Sequence, residues 1–118
     1  MKFSELDRSK LLVLQFDLDG TLCTVEKGAR NLKDYANAVP RMEIIAKVNE
    51  LHNEGHLIKI VTARGAQTDQ DWREFTKKQL AEWGLKYGVL KVGKPYKLHA
   101  NYYIDDKGIN AGEFFDAN

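Results

Sequence analysis

The sequence predicts an α/β fold in which helices cover a central parallel sheet in a doubly wound stack. Three observations lead there. Short apolar runs occur at residues 11–16, 57–61, 89–92 and 102–104, the length of strands rather than helices. Segments with helical periodicity separate them, which favours parallel pairing through right-handed crossovers. Polar residues follow each run: Asp17 and Asp19, Thr62 and Arg64, Lys94, then Asp105 and Asp106. In such sheets ligands bind beyond the carboxyl ends of the strands, where the strand order reverses, and all four polar groups fall on that edge.

The first run, Leu11, Leu12, Val13, Leu14, Gln15 and Phe16, is nearly continuous, the pattern of a strand buried on both faces rather than an alternating one. Residues 20–39 hold Gly20, Gly28 and many polar side chains without a sustained period, which predicts a long loop or small hairpin, with 22–39 as a flap. Pro40 suits an early helical position, and Ile44, Ile45, Val48 and Leu51 then recur at helical spacing up to a stop at Gly55. After the second strand, Thr68 or Asp69 can cap a helix carrying Trp72, Phe75, Thr76, Gln79, Leu80 and Trp83 on one stripe, ended by Gly84. No repeat or interdomain linker interrupts the chain, so residues 1–118 are expected to form one domain.

Composition narrows the function classes. With 18 basic and 17 acidic side chains, the formal charge of +1 supplies no long-range field to recruit nucleic acid or an anionic membrane. The lone Cys23 cannot close an intrachain disulfide, and no apolar run has membrane-spanning length. Residues 1–10 carry Glu5, Asp7 and basic side chains instead of a secretory apolar core, so a reducing cytoplasm is the expected compartment.

The polar groups suit phosphate ester chemistry. Hydrolysing a phosphate monoester needs a positioned nucleophile, charge neutralisation for the phosphoryl oxygens and a proton for the leaving group. Asp17 and Asp19 stand two apart at a strand end, so a regular strand would put both carboxylates on one face. One carboxylate can capture phosphorus while the other protonates the departing alkoxide and later deprotonates water. Crowded carboxylates beside an anionic substrate call for a hard cation such as Mg²⁺, for which Asp105 and Asp106 complete an oxygen cradle. The Thr62 hydroxyl, the Lys94 ammonium and loop amides can bind the phosphoryl oxygens.

Each residue also has a plainer reading. An Asp after a strand is often a turn former or helix cap, and Lys94 can be a solvated loop charge, with Lys97 competing for its role. Arg64 suits either a distal substrate anion or a surface ion pair. His52, His56 and His99 show no metal-ligand spacing and read as surface or helix-end residues. Trp72, Phe75 and Trp83 read as core, and Cys23 as a packed side chain.

The run Phe16-Asp17-Leu18-Asp19-Gly20-Thr21-Leu22 closely resembles the first motif of the haloacid dehalogenase-like superfamily, an Asp-x-Asp-x-Thr signature after a buried strand. Thr62, Lys94 and Asp105-Asp106 follow in that family's order, so the resemblance covers roughly residues 11–109. It implies a Rossmann-like three-layer domain, with Asp17 as nucleophile and Asp19 as acid/base. By the same resemblance Mg²⁺ is held by Asp17, the Asp19 carbonyl and Asp105, with Asp106 as a further metal contact. Thr62 and Lys94 would then orient phosphate, Thr21 would brace the first loop, and Gly20, Thr21, Ala63, Arg64 and Lys97 form the expected substrate surround. An acid/base at Asp19 favours phosphoryl transfer over carbon-halogen cleavage.

Residues 35–40 and 103–107, with the short spacing from Lys94 to Asp105, resemble the small bacterial capsule-biosynthesis phosphatase branch. The spacings leave no room for a cap domain, so an open site is expected, which suits a large substrate or a pocket closed by a neighbouring subunit of a homo-oligomer. The expected substrate is a sugar or polyol phosphate. The alternatives are a polynucleotide end phosphatase, given Lys86, Lys91, Lys94, Lys97 and Lys107, a non-catalytic module that binds metal or a phospho-ligand, or a phosphotransferase.

Overall fold

The computed structural model describes residues 3–29, 31–65, 71–93, 100–105 and 109–110, with the backbone alone for Asp105, Ile109 and Asn110. After a short 3-10 turn at Phe3–Glu5, the elements in chain order begin with β1 (Val13–Asp17), β2 (Cys23–Thr24), α1 (Leu32–Ala36), β3 (Val39–Pro40) and α2 (Met42–Asn53). Then come β4 (Leu57–Thr62), α3 (Arg73–Glu82), β5 (Val89–Val92), β6 (Tyr102–Asp105) and β7 (Ile109–Asn110).

The expected parallel sheet is present. Its order is β5-β4-β1-β6-β7, and every pairing in it is parallel. The chain steps outward from β1 to β4 and β5, then returns to β6 on the other side of β1. The strand order therefore reverses between β1 and β6, the place where such sheets take their ligands.

Helices α2 and α3 cross back over this sheet. Ile44, Ile45, Val48 and Leu51 of α2 and Leu80 of α3 join Leu14, Phe16, Ile58, Ile60, Leu90 and Ile104 of the strands in one buried cluster. Fully burying each such side chain contributes about 1.5–3 kcal/mol of transfer free energy. The α2 helix stops as expected at Gly55, where the His56 N–H donates to the Leu51 carbonyl at 3.2 Å and the Gly55 N–H to the His52 carbonyl at 3.0 Å. Among the described residues no helix is long and apolar enough to cross a membrane.

Several local expectations are corrected. Strand β1 begins at Val13 rather than Leu11, which is 79% exposed, and it alternates: Leu14 and Phe16 are buried while Val13, Gln15 and Asp17 are half-buried. Its second face carries polar groups in register, Lys59 of β4 and Tyr103 of β6 flanking Gln15. Hydrophobic count alone concealed that alternation, because Val13 sits on the polar face. Pro40 is not helical; it ends β3, pairing with Cys23, and α2 starts two residues later without a side-chain cap at Arg41. Residues 20–39 contain a hairpin, as expected, but α1 lies between its short strands. Helix α3 begins at Arg73, whose N–H is accepted by Asp71 Oδ1 at 2.9 Å; the caps expected at Thr68 or Asp69 lie outside the described residues.

His56 is the clearest correction. It is buried, at 3% exposure, and its Nδ1 accepts the Leu12 N–H at 3.1 Å while its Nε2 lies 3.6 Å from Glu54 Oε1. The imidazole thus supplies the acceptor that the backbone needs just before β1. His56→Leu leaves the Leu12 N–H buried without that acceptor, and should lower stability by about 1–3 kcal/mol in urea denaturation; an unchanged midpoint would contradict this role.

Candidate functional site

At the carboxyl end of β1 lie Asp17 and, in the turn beyond it, Asp19, with Thr62 and Arg64 hydrogen-bonded to Asp19. Register pairs Phe16 with Ile60 and with Ile104, and Asp17 with Val61. One step on, Asp17 and the Asp105 backbone end adjacent parallel strands at the same level, and adjacent strands are about 4.8 Å apart. These two acids, separated by most of the chain, therefore flank the point where strand order reverses.

Beyond Asp17 the chain turns sharply. The Thr21 and Leu22 N–H groups donate to the Leu18 carbonyl at 3.1 and 2.9 Å, and the Gly20 N–H donates to the Cys23 carbonyl at 2.9 Å. Gly20 has φ +86°, a conformation that side chains disfavour, so glycine suits this corner. Leu18 and Leu22 are completely buried, which roots the turn in the core and leaves Asp17 and Asp19 half-buried at its mouth. Thr21 is wholly buried as well, and its hydroxyl has no hydrogen-bond partner among the described residues. Thr21 is thus enclosed within the turn.

Strand β4 brings the second motif alongside. Thr62 is buried, its hydroxyl donating to Asp19 Oδ2 at 3.4 Å and accepting the Arg64 N–H at 3.3 Å. Ala63 is exposed. Arg64 turns inward instead of out to solvent: its Nε donates to Asp19 Oδ2 at 3.0 Å and its Nη2 to Asp19 Oδ1 at 2.7 Å. An ion pair is there, but its Arg64 side chain is 0% exposed and its Asp19 side chain 19%. Arg64 Nη1 donates to Gln79 Oε1 at 2.7 Å and, more loosely, to Thr76 Oγ1 at 3.4 Å. With its donors engaged inside the protein, Arg64 reaches a substrate anion only if Asp19 lets go.

This buried guanidinium has an aromatic wall. Its carbon lies 4.9 Å from the centre of the Tyr35 ring and 6.0 Å from that of Phe75. Trp72 meets Tyr35 edge-on at 5.1 Å, and Gly65 makes room for the indole: a Cβ on Gly65 would stand 2.8 Å from Trp72 Cγ, and its φ of +78° disfavours a side chain anyway. The Tyr35 phenol is raised above its ordinary pKa by burial first and by the Asp19 charge second. Cys23 is buried with Sγ 3.4 Å from Asp19 Oδ1, and desolvation, then the Asp19 charge, push its thiol up to about 12. It stays a thiol at neutral pH and packs as expected.

The other expected residues are only partly described. Lys94, Lys97 and Asp106 lie outside the described residues, and Asp105 is described by its backbone alone. Among the described residues no three His, Cys, Asp or Glu side chains form a metal cluster. The residue types at the mouth of β1 suit a hard cation: Asp17 ends the strand, and an acidic residue, Asp105, holds the register position beside it on β6. The Asp19 carboxylate is held by Arg64 in this arrangement.

The sequence reading gave no role to Gln79 or Tyr35. Gln79 had a visible signal, an amide in the middle of the buried stripe of α3. Tyr35 had none, because its contact depends on how the hairpin folds back.

Comparison with known proteins agrees with this fold. A crystal structure of a structural-genomics target from Vibrio cholerae matches with a TM-score of 0.62 and 30% identity, over 92% of this chain and 90% of that one. The chain belongs to the same family as that Vibrio cholerae protein. A chain of the Pnkp1/Rnl/Hen1 complex matches at a TM-score of 0.58 and 18% identity, over 86% of this chain and 36% of that chain. A chain of the Pnkp1/Rnl/Hen1 RNA repair complex gives 0.63 and 18%, over 89% and 39%. The present chain spans less than two-fifths of either of these two, which share its fold. No family model matches the chain, and no curated protein matches it.

The buried pair makes a direct prediction. Asp19→Asn and Arg64→Met each strand a partner in a dry site and should cost about 3 kcal/mol in urea denaturation. The double variant should lose at least about 1 kcal/mol less than the sum; strict additivity would show that the pair is not coupled.

Proposed function

We propose that this chain is a Mg²⁺-dependent phosphomonoester hydrolase of the haloacid dehalogenase-like type, working through an aspartyl-phosphate on Asp17. The observation that carries the reading is the position of Asp17: it ends the central strand at the reversal of strand order, level with Asp105 on the neighbouring strand. The motif resemblance of residues 16–22, with Thr62, Lys94 and Asp105-Asp106 in order, supports it.

In this reading an Asp17 carboxylate oxygen attacks phosphorus while the ester oxygen departs with a proton from Asp19. Water then attacks the aspartyl-phosphate, Asp19 takes the water's proton, and inorganic phosphate leaves. Mg²⁺, held by Asp17, the Asp19 carbonyl and Asp105 with Asp106 nearby, would neutralise phosphoryl charge when bound. The Thr62 hydroxyl, Lys94 and the exposed loop at Ala63 would hold the phosphoryl oxygens, with Lys97 at the margin and Thr21 bracing the turn; Gly20, expected in the substrate surround, instead gives its N–H to the Cys23 carbonyl, and Arg64 is engaged with Asp19. Asp19 must exchange part of its bond to Arg64 for the leaving group, so Arg64 orients the acid between turnovers.

The substrate class that fits best is a sugar or polyol phosphate, taken by a single capless domain whose residues 22–39 form a flap. A second copy of the chain completing the open site belongs to the same proposal. A second reading, action on phosphorylated polynucleotide ends, draws on the shared fold with a chain of an RNA repair complex. Ionic strength separates them: turnover of nucleic-acid ends should fall steeply with salt, that of small phosphates should not.

Phosphate release from sugar phosphates, polyol phosphates, nucleotides and phosphorylated DNA ends should require Mg²⁺ and stop on chelation. Asp17→Asn should lower it on the order of 10⁴-fold or more, with folding intact by circular dichroism. Undiminished release by that variant would refute the assignment.

A further inference from the structure

Gln79 joins two parts of the molecule that the proposed chemistry would otherwise leave unconnected. Its side chain is 7% exposed and both its polar atoms are engaged. Oε1 accepts from Arg64 Nη1 at 2.7 Å, and Nε2 donates to the Tyr35 carbonyl of α1 at 2.8 Å. A guanidinium is planar and rigid, so holding Nη1 also aims Nε and Nη2, the two nitrogens that grip Asp19.

The helix at the other end of this chain of bonds is lightly held. None of the α1 side chains is fully buried. Between α1 and α3 lies an open cleft of about 170 Å³, lined by Ala36, Phe75, Lys78, Gln79 and Glu82. The hairpin that carries α1 is pinned at its base, where β2 pairs with β3 and the Arg41 N–H donates to the Leu22 carbonyl at 2.9 Å. Among the described residues, the Gln79 amide ties α3 to α1, and the Tyr35 ring of α1 lies over Arg64 and against Trp72.

We propose that Gln79 is a positioning residue that couples the seating of α1 to the orientation of Asp19, acting through the Arg64 guanidinium. With α1 seated, the amide of Gln79 is fixed, Arg64 is fixed in turn, and the Asp19 carboxyl is held in one orientation at the mouth of β1. With α1 lifted, Gln79 loses the Tyr35 carbonyl and its hold on Arg64 slackens. The flap would then do more than cover the site: its closure would aim the acid. This rests on the reading of Asp19 as the acid/base, but the linkage itself is physical and can be measured without turnover.

Gln79→Leu keeps the bulk and removes both bonds, while Lys78→Ala, on the same cleft, keeps them. Protonation by Asp19 matters for a poor alkoxide leaving group and little for p-nitrophenolate. Gln79→Leu should therefore lower kcat/KM, which reports only the steps through leaving-group departure, about tenfold or more for an alkyl phosphate while leaving kcat/KM for p-nitrophenyl phosphate within about twofold, and Lys78→Ala should change neither. Amide hydrogen exchange over residues 31–40 should speed up about fivefold in Gln79→Leu. Because coupling is reciprocal, Asp19→Asn should also speed exchange over 31–40. Equal loss on both esters, no loss on either, or unchanged exchange in Gln79→Leu would overturn the proposal. If the unaltered protein turns over neither ester, the phosphatase reading fails, and exchange in Gln79→Leu and Asp19→Asn decides the linkage alone.

Discussion

The structure depends on β1 lying in the middle of its sheet with a parallel neighbour on each side. That placement buries Leu14 and Phe16 completely and fixes register against β4 and β6 at once. A slip of one residue would turn Leu14 and Phe16 to the half-polar face and carry Asp17 with them, so core packing and the position of the acid are one constraint. The same constraint explains why residues distant in the chain meet. Asp17 and Asp105 share an edge because two strands share a register, and no local turn could have brought them there.

A second constraint sits one turn further on. Arg64 carries a positive charge into a site with no solvent exposure, and Asp19 is its counter-ion. Such a charge is tolerated only when nearly every donor is satisfied. Asp19, Thr76 and Gln79 take the donors, and Tyr35 and Phe75 supply aromatic faces. The ring of partners draws together β4, α3 and the hairpin after β1, so satisfying one buried charge also organises the surroundings of the proposed acid. In the proposed mechanism an acid so restrained would have to yield a bond to Arg64 before it could act.

Much of this was legible in the sequence because it obeys simple periods. Apolar runs of strand length, helical stripes between them and polar residues after each run are enough to imply a parallel sheet with one functional edge, and Asp17, Asp19 and Thr62 stand on it. The details that escaped depend on tertiary context. Gln15 looked like an interruption in an apolar run, yet it marks a polar row with Lys59 and Tyr103. Pro40 fits a helix start and a strand end equally well until Cys23 pairs with it. Arg64 and His56 have no sequence mark of burial, because what buries them arrives from α3 and from the segment before β1.

The central claim is that the Asp17 carboxylate itself takes the phosphoryl group. The most direct measurement is chemical trapping: brief reaction with Mg²⁺ and a phosphorylated substrate, acid quench, borohydride reduction of any acyl phosphate, and peptide mass spectrometry. The account predicts that Asp17 alone is converted to homoserine, in proportion to the enzyme quenched during turnover. Turnover with Asp17 unmodified and another carboxylate reduced would contradict it.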